Sequence, residues 1–400
     1  MIKEYIETPI TMSCDVLVCG GGFAGISAAL AASRKGCKVI LVEKEYMLGG
    51  LGTAGIVTIF LPLCDGMGNQ VSFGIAEELF KLSISMGAEA RYPSNWLDSH
   101  EKSKRTEKDN RFEVQYNPQI FAMLAENLLI NNGVEILYGS YAVGVSKIND
   151  IIDAVIIENK SGRQAISVNS VVDATGDCDI AYLGNAPTET FKQGNVLAAW
   201  YYSLSQSGYE LNMLGFADIP ENEKNDSNQV TPLINKRFSG LCGKEISEMM
   251  QLSHKSVLND VIKNRKEDKT YIPTLIASIP QIRMSRRIVG EYTLDSSEEH
   301  KYFEDSIGMV SNWKKRGPIY EVPFSTLYSK SIKNLITAGR CTSVTDSMWD
   351  IMRVIPCCAV TGQAAGTAAA LTNDFSTINV KQLQDVLQKD NVKLHIKELM

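Results

Sequence analysis

Asp15-Val16-Leu17-Val18-Cys19-Gly20-Gly21-Gly22-Phe23-Ala24-Gly25 is an apolar run that breaks on glycines and restarts as something helical. Five residues without a period-2 alternation read as a strand buried on both faces, as in a parallel sheet. A helix from about 23 to 35 follows, with Ile26, Ala29, Leu30 and Ser33 at helical spacing and Gly36 closing it. A second buried strand, Lys38-Val39-Ile40-Leu41-Val42, ends on Glu43. Strand, helix and strand in about 30 residues make a βαβ unit, whose crossover is right-handed.

The glycines carry the pattern G-x-G-x-x-G in the setting that gives it meaning, after a strand and at the mouth of a helix. Gly20 permits the tight turn, Gly22 lets the backbone approach a pyrophosphate, and Gly25 lets helix and strand pack closely. The helix N-terminus offers free N–H groups and a partial positive charge to phosphate. Glu43, 18 residues beyond Gly25, is placed to accept hydrogen bonds from a ribose diol. The competing explanation is a glycine-rich turn in some other α/β protein, and the complete spacing disfavours it. Gly49-Gly50-Leu51-Gly52-Thr53 lies where an extended dinucleotide would continue, and glycine-bearing segments near 339 and 362 look like further cofactor-facing backbone. The other match to G-x-G-x-x-G, Gly50 to Gly55, lies in the glycine-rich stretch 49–74 that reads as loop and opens no helix, so FAD is favoured over a separate nicotinamide domain.

The rest of the chain bounds the answer. The 400 residues allow two or three domains. Hydrophobic residues are 44% and charged residues 22%, ordinary globular usage. Net charge is −6, which argues against binding driven by nucleic-acid phosphates. The nine cysteines are scattered without metal or C-x-x-C spacing, as expected of a reduced, cytoplasmic protein. The N-terminus lacks a signal peptide's apolar stretch, and no uninterrupted run is long enough for a membrane span. Helices are expected at 75–87, 118–132, about 362–371 and 380–389. Strands are expected near 134–145, 151–158, 164–173 and 335–338. Residues 98–111 are polar with mixed charge and read as a solvated loop; residues 185–330 read as mixed.

At this point the chain resembles the bacterial FAD-dependent oxidoreductases related to fumarate reductase and succinate dehydrogenase flavoproteins, within the glutathione-reductase-like superfamily. The marks are Gly20 to Glu43, Gly49 to Thr53, Gly74 to Leu79, Asp173-Ala174-Thr175-Gly176-Asp177, Ser285 to Tyr292, Ala338-Gly339-Arg340-Cys341, and Arg353 through Gly366. The resemblance implies an α/β fold: a Rossmann-like FAD-binding domain, a parallel sheet flanked by helices, with an interleaved α+β substrate domain. Segments 1–64, 116–184 and 326–400 would form the first, and 65–115 and 185–325 the second. It implies non-covalent FAD. Gly20, Gly22, Phe23 and Ala24 would touch the pyrophosphate, Glu43 the adenosine ribose and Lys44 the adenine. Gly49, Gly50 and Thr53 would line the ribitol, Ala142 the adenine edge, Ala174 and Gly176 the adenosine end. Gly339, Val354 and Gly362 would lie near the flavin, with the helix near Gly362 facing it.

The implied activity is hydride transfer between flavin N5 and a small organic substrate, with a carboxylate favoured by Arg283, Arg286 and Arg287 if these lie on one helical side. Structural pairing, such as Arg287 with Glu291, competes with that reading. Arg353 and Arg286 are the candidate catalytic residues. Family members often carry histidines between the Gly-Arg-Cys and Arg-Val-x-Pro marks; this chain has Asp346, Trp349 and Asp350 there. Trp200-Tyr201-Tyr202 reads as core or strand, and Cys357-Cys358 as buried thiols. Alternatives are an oxygen-using oxidase or hydroxylase, and a non-catalytic flavin-fold binding protein. Expected partners are a small-molecule substrate and an electron donor or acceptor of unknown identity, with no nucleic acid and no membrane. Substrate, direction and oligomeric state do not follow from the sequence.

Overall fold

A computed structural model describes residues 2, 3, 5–86, 114–215 and 232–399. The expected loop at 98–111 lies outside them. Sixteen strands and eight α-helices are described, numbered in chain order.

The seven-stranded sheet holds β1 (Ile10–Cys19), β2 (Val39–Val42), β5 (Glu135–Leu137), β6 (Tyr141–Ile148), β7 (Ile151–Asn159), β8 (Gly162–Asp173) and β16 (Leu335–Thr337). Its order is β5-β2-β1-β8-β7-β6, with β16 also on β8. β5, β2, β1, β8 and β16 pair in parallel; β6, β7 and β8 form an antiparallel meander. β1 begins five residues earlier than its apolar run, and that extra half is mostly exposed while Val16 to Cys19 are buried. This is the expected contrast between an edge-like lead-in and a strand covered on both faces.

Helix α1 (Phe23–Ser33) is buried from Phe23 to Ala32. It can be so because its residues are small, and it lies between the sheet and the small-residue helix α7 (Ile355–Leu371). A Cβ on Gly362 would stand 2.2 Å from Ala24 O and one on Gly366 2.1 Å from Ala28 O, so the two backbones touch where these glycines lie. Helix α7 therefore begins at Ile355, not near Gly362, and Gly362 serves helix packing. Helices α2 (Ile75–Ile84) and α3 (Pro118–Asn131, capped by Asn117 and opened by Pro118) cover the same core. Helix α8 (Val380–Lys389) matches its expected span.

The remaining strands form small sheets. β10 (Ala199–Ser205) is flanked by β11 (Gly208–Leu214) and β12 (Ile272–Ile276), with α5 (Gly243–Asn264) packed against the sheet through Val257 and Val261. β9 (Thr188–Thr190) pairs with β13 (Arg286–Ile288), β14 (Ser306–Ser311) with β15 (Ile319–Pro323), and β3 (Ile59–Phe60) with β4 (Val114–Gln115). Short helices α4 (Asp179–Leu183) and α6 (Asp346–Met352) complete the set. Arg286 and Arg287 are thus in a strand, not a helix, and Arg287 pairs with Glu189 across it at 2.7 Å rather than with Glu291. Among the described residues no single helix is long and apolar enough to cross a membrane.

Candidate active site

The C-terminal ends of β1, β2, β8 and β16 meet one cleft, the place where ligands bind in open parallel sheets. Gly20, Gly22, Phe23, Ala24, Glu43, Lys44, Gly49, Gly50, Ala174, Gly176, Gly339, Arg353 and Val354 all border it. Another groove, bordered by Arg34, Glu78 and Asp390, has charges that are already paired, Arg34 with Glu78 and Asp390 with Lys35, each at 2.7 Å.

The glycine turn is built as a phosphate cradle. Gly20 has φ +104° and a Cβ there would meet Ala174 O at 2.4 Å, so only glycine makes this turn. A Cβ on Gly25 would stand 1.8 Å from Gly20 O, which holds α1 hard against the turn. Gly22 differs: nothing stands within 4 Å of its would-be Cβ, so its Cα faces the open cleft. As N-cap of α1 it brings no side-chain acceptor, which leaves the first-turn N–H groups for a ligand. The loop after β2 is clamped to the turn by Gly49 N–H donating to Gly21 O at 2.8 Å.

Glu43 is 5% exposed. One carboxylate oxygen accepts Gly21 N–H at 2.6 Å and the other Glu45 N–H at 2.8 Å. Burial pushes its pKa up, while those two backbone bonds pull it back. The carboxylate thus ties the end of β2 to the turn and still stands at the cleft wall.

Four expected contacts lie elsewhere. Thr53 is buried and its hydroxyl donates to Leu48 O at 2.5 Å, so it shapes the loop from behind. Ala142 is paired with Ile157 across β6 and β7, outside the cleft. Gly362 is at the α1–α7 contact. Arg286 donates to Asp177 O at 2.9 Å and to Asp179 at 2.6 Å, over the Tyr182 ring at 3.9 Å, and does not reach the cleft. Its neighbours hold it as structure.

The cleft wall also holds Arg283, one of the arginines that sequence reasoning tied to a carboxylate, and Trp200, Trp313, Arg340, Asp177 and Cys358, to which it gave no place in the site. Trp200 is in a strand and buried, as expected, and also borders the cleft. Arg353 is held by Asp350, fully buried, at 2.9 Å from Nε, and Asp350 is also bound by Lys314. Trp313 Nε1 donates to Asp350 O at 2.9 Å. Arg340 lies 3.8 Å from Asp177 and donates to Gly176 O. Of Asp346, Trp349 and Asp350, Asp350 reaches the site through Arg353, whereas Asp346 and Trp349 are not among the residues that border it. Burial pushes the Cys358 thiol up to about 12, so it is not a ready thiolate.

Helix α7 starts at this cleft, with Val354 as N-cap and Ile355 both on its wall. An anion at such an N-terminus gains about 0.3–2 kcal/mol.

This fold and this cleft define a dinucleotide-binding α/β flavoprotein. The model of the FAD-dependent oxidoreductase family matches residues 15–198 and 191–387, so the chain belongs to that family. FAD is its cofactor, and the open Cα of Gly22, the uncapped α1 N-terminus and the buried Glu43 carboxylate fit it. Shorter matches link it to thioredoxin reductase of Ureaplasma parvum serovar 3, 29% identical over 92 residues (23% of this chain, 30% of that one). Another is 4-oxocyclohex-2-ene-1-carboxylate 5-dehydrogenase of Sinomonas cyclohexanicum, 55% identical over 49 residues (12% of this chain, 8% of that one). A third is the cytochrome-type fumarate reductase of Shewanella frigidimarina, 58% identical over 36 residues (9% of this chain, 6% of that one). The chain spans less than a third of the length of these curated relatives. Among solved structures, a geranylgeranyl bacteriochlorophyll reductase-like protein of Thermoplasma acidophilum aligns at TM-score 0.49 and 16% identity, over 94% of this chain and 84% of that one.

Proposed function

We propose that this FAD-dependent oxidoreductase transfers a hydride between its flavin and a small organic acid, in exchange with an external electron donor or acceptor. Bound FAD supplies two-electron chemistry that no side chain can. The chain's residues do the rest. The Gly20–Gly25 turn and Glu43 hold the dinucleotide at one end. The α7 N-terminus offers N–H groups and positive potential to an anion at the other. Trp200, Trp313, Met213, Ile279 and Ile282 keep water from the substrate, which strengthens every charge interaction there.

The observation that carries this reading is one continuous cleft. Its wall holds the phosphate-cradling turn together with Arg283, Arg340 and Arg353 among tryptophan and aliphatic side chains. Segment 185–325, which supplies Trp200, Met213, Ile279, Ile282, Arg283 and Trp313 to that wall, is assigned the choice of substrate. No covalent bond to FAD is proposed, since Cys64 and Cys341 are buried and do not border the cleft.

The test is anaerobic mixing of the purified yellow protein with candidate organic acids while the flavin band near about 450 nm is followed. Bleaching by an acid, or recolouring of the reduced protein by an unsaturated acid, supports the reading. Reduced flavin that recolours in air within the turnover time, with oxygen incorporated into product, would make the protein an oxidase or hydroxylase instead.

A further inference from the structure

Arg283 is out of keeping with its surroundings. It is 4% exposed, yet among the described residues no carboxylate pairs with it. Its guanidinium donates once, from Nη2 to Gln281 Oε1 at 3.1 Å, and lies 4.9 Å over the Trp200 ring. Its Nε is buried with no hydrogen-bond partner. Burial lowers its pKa to about 9, helped by the nearby charges of Arg353 and Arg340, with Asp350 opposing. An uncompensated buried guanidinium is strongly unfavourable, and leaving a charged donor unmade costs more than a neutral one.

The surrounding structure nonetheless fixes it in place. Gln281 Nε2 donates to Gly55 O at 2.5 Å, so its amide oxygen is oriented toward Arg283. Asn195, fully buried, accepts the backbone N–H of Arg283 at 2.9 Å and of Met284 at 3.0 Å. The segment is therefore pinned from both sides, and Arg283 faces the cleft. The other two arginines there are already engaged: Arg353 by Asp350, Arg340 by Asp177 and Gly176. Among the described residues, Arg283 is the cleft arginine left without a carboxylate. Around it the walls are Trp200, Trp313, Met213, Ile279 and Ile282.

We infer that the cleft takes a substrate with a single carboxylate on a flat apolar body, the carboxylate meeting Arg283 and the body lying against the tryptophan and aliphatic walls. This rests on the proposed function above. It narrows the acid to a monoanion, because a second carboxylate would find only guanidiniums that are already paired. Arg283 carries a fork geometry suited to one carboxylate.

The test uses the FAD-loaded protein and three probes: benzoate, benzamide and succinate. Perturbation of the flavin spectrum and quenching of tryptophan fluorescence report binding. Benzoate is expected to bind, its neutral isostere benzamide at least 10-fold more weakly, and succinate no more tightly than benzoate. Arg283→Met is expected to keep its full FAD content and lose benzoate affinity 10- to 100-fold, with Arg283→Lys recovering part of it. Wild-type protein that ignores benzoate, binds benzamide equally well or prefers succinate overturns the inference without any variant. An Arg283→Met protein that loses FAD instead assigns the guanidinium to the cofactor, and also overturns it. Either failure leaves the proposed function standing; that reading falls if no organic acid bleaches or recolours the flavin of the wild-type protein, or if reduced flavin reacts with oxygen and passes it to product.

Discussion

At the scale of single residues, Glu43 and Gly22 make opposite kinds of contact with the same ligand. Glu43 contributes an acceptor. Hydrogen bonds to a charged group contribute about 1.5–3 kcal/mol, so Glu43→Ala is expected to weaken FAD binding roughly 10- to 100-fold in a flavin titration. Its two backbone partners, Gly21 and Glu45, lose their acceptor too, so the variant also relaxes the turn. The sign of the pH dependence follows from the raised pKa. In ligand-free protein the native carboxyl holds its proton more tightly than in the unfolded chain, so apo stability declines as pH rises from the ordinary carboxylate range through the raised value. FAD binding runs the other way: the ribose needs the charged acceptor, so affinity is lost as pH falls through that same raised value. FAD titrations across mildly acidic pH should show this loss, and Glu43→Gln should flatten it; an equal slope in both proteins would remove Glu43 from the ribose. Gly22 contributes space. Nothing stands within 4 Å of its would-be Cβ. Gly22→Val should therefore fold and lose its flavin, and a yellow variant at full occupancy would place the cradle elsewhere.

At the scale of elements, the contact between α1 and α7 separates packing from cofactor binding. A Cβ on Gly366 would press on Ala28 O at 2.1 Å, a full turn away from the phosphate turn, and one on Gly362 on Ala24 O at 2.2 Å, at that turn. Both contacts are with backbone, which cannot rotate away, and overpacking of this kind destabilises by about 1–3 kcal/mol or more. Gly366→Ala is expected to lower the melting temperature with unchanged FAD affinity per folded molecule, and Gly362→Ala to lower both. The βαβ unit and this helix were legible because each announces itself locally, by an apolar run, a glycine turn or a small-residue stripe. Helix α5 was not. Its buried residues, Met249, Ser253, Val257 and Val261, form one narrow stripe every fourth position within a polar segment. For the arginine segment local spacing left a helix open; its conformation is set by Asn195, about 90 residues earlier, and by strand β9. The same holds for the far end of the cleft. Arg283 sits beside Trp200 and Gln281 beside Gly55 only after distant segments have packed, so no window of sequence could show that Arg283 lacks a counter-charge.

At the scale of the whole molecule, the cleft is walled by stretches around residues 20–61, 174–177, 200–213, 279–283, 313 and 338–358. A ligand that touches several of these closes contacts between segments far apart in sequence, so FAD acts as a cross-brace on the native state and has no counterpart site in the unfolded chain. Binding then stabilises by RT ln(1 + [L]/Kd), about 2.7 kcal/mol at a hundredfold excess of FAD over Kd. Unfolding entropy near about 2.1 cal/mol/K per residue, over 400 residues, gives about 0.84 kcal/mol/K. The expected rise in melting temperature is therefore about 3 °C for a cooperative transition, and it should grow by a constant increment for each tenfold addition of FAD. Gly22→Val, whose fold has room for the new side chain but whose cradle does not, should melt near the wild-type apo temperature and show no rise with FAD. Scanning calorimetry of both proteins over a series of FAD concentrations measures this directly. A wild-type rise shared by the variant would mean that FAD stabilises the fold from some surface other than this cleft.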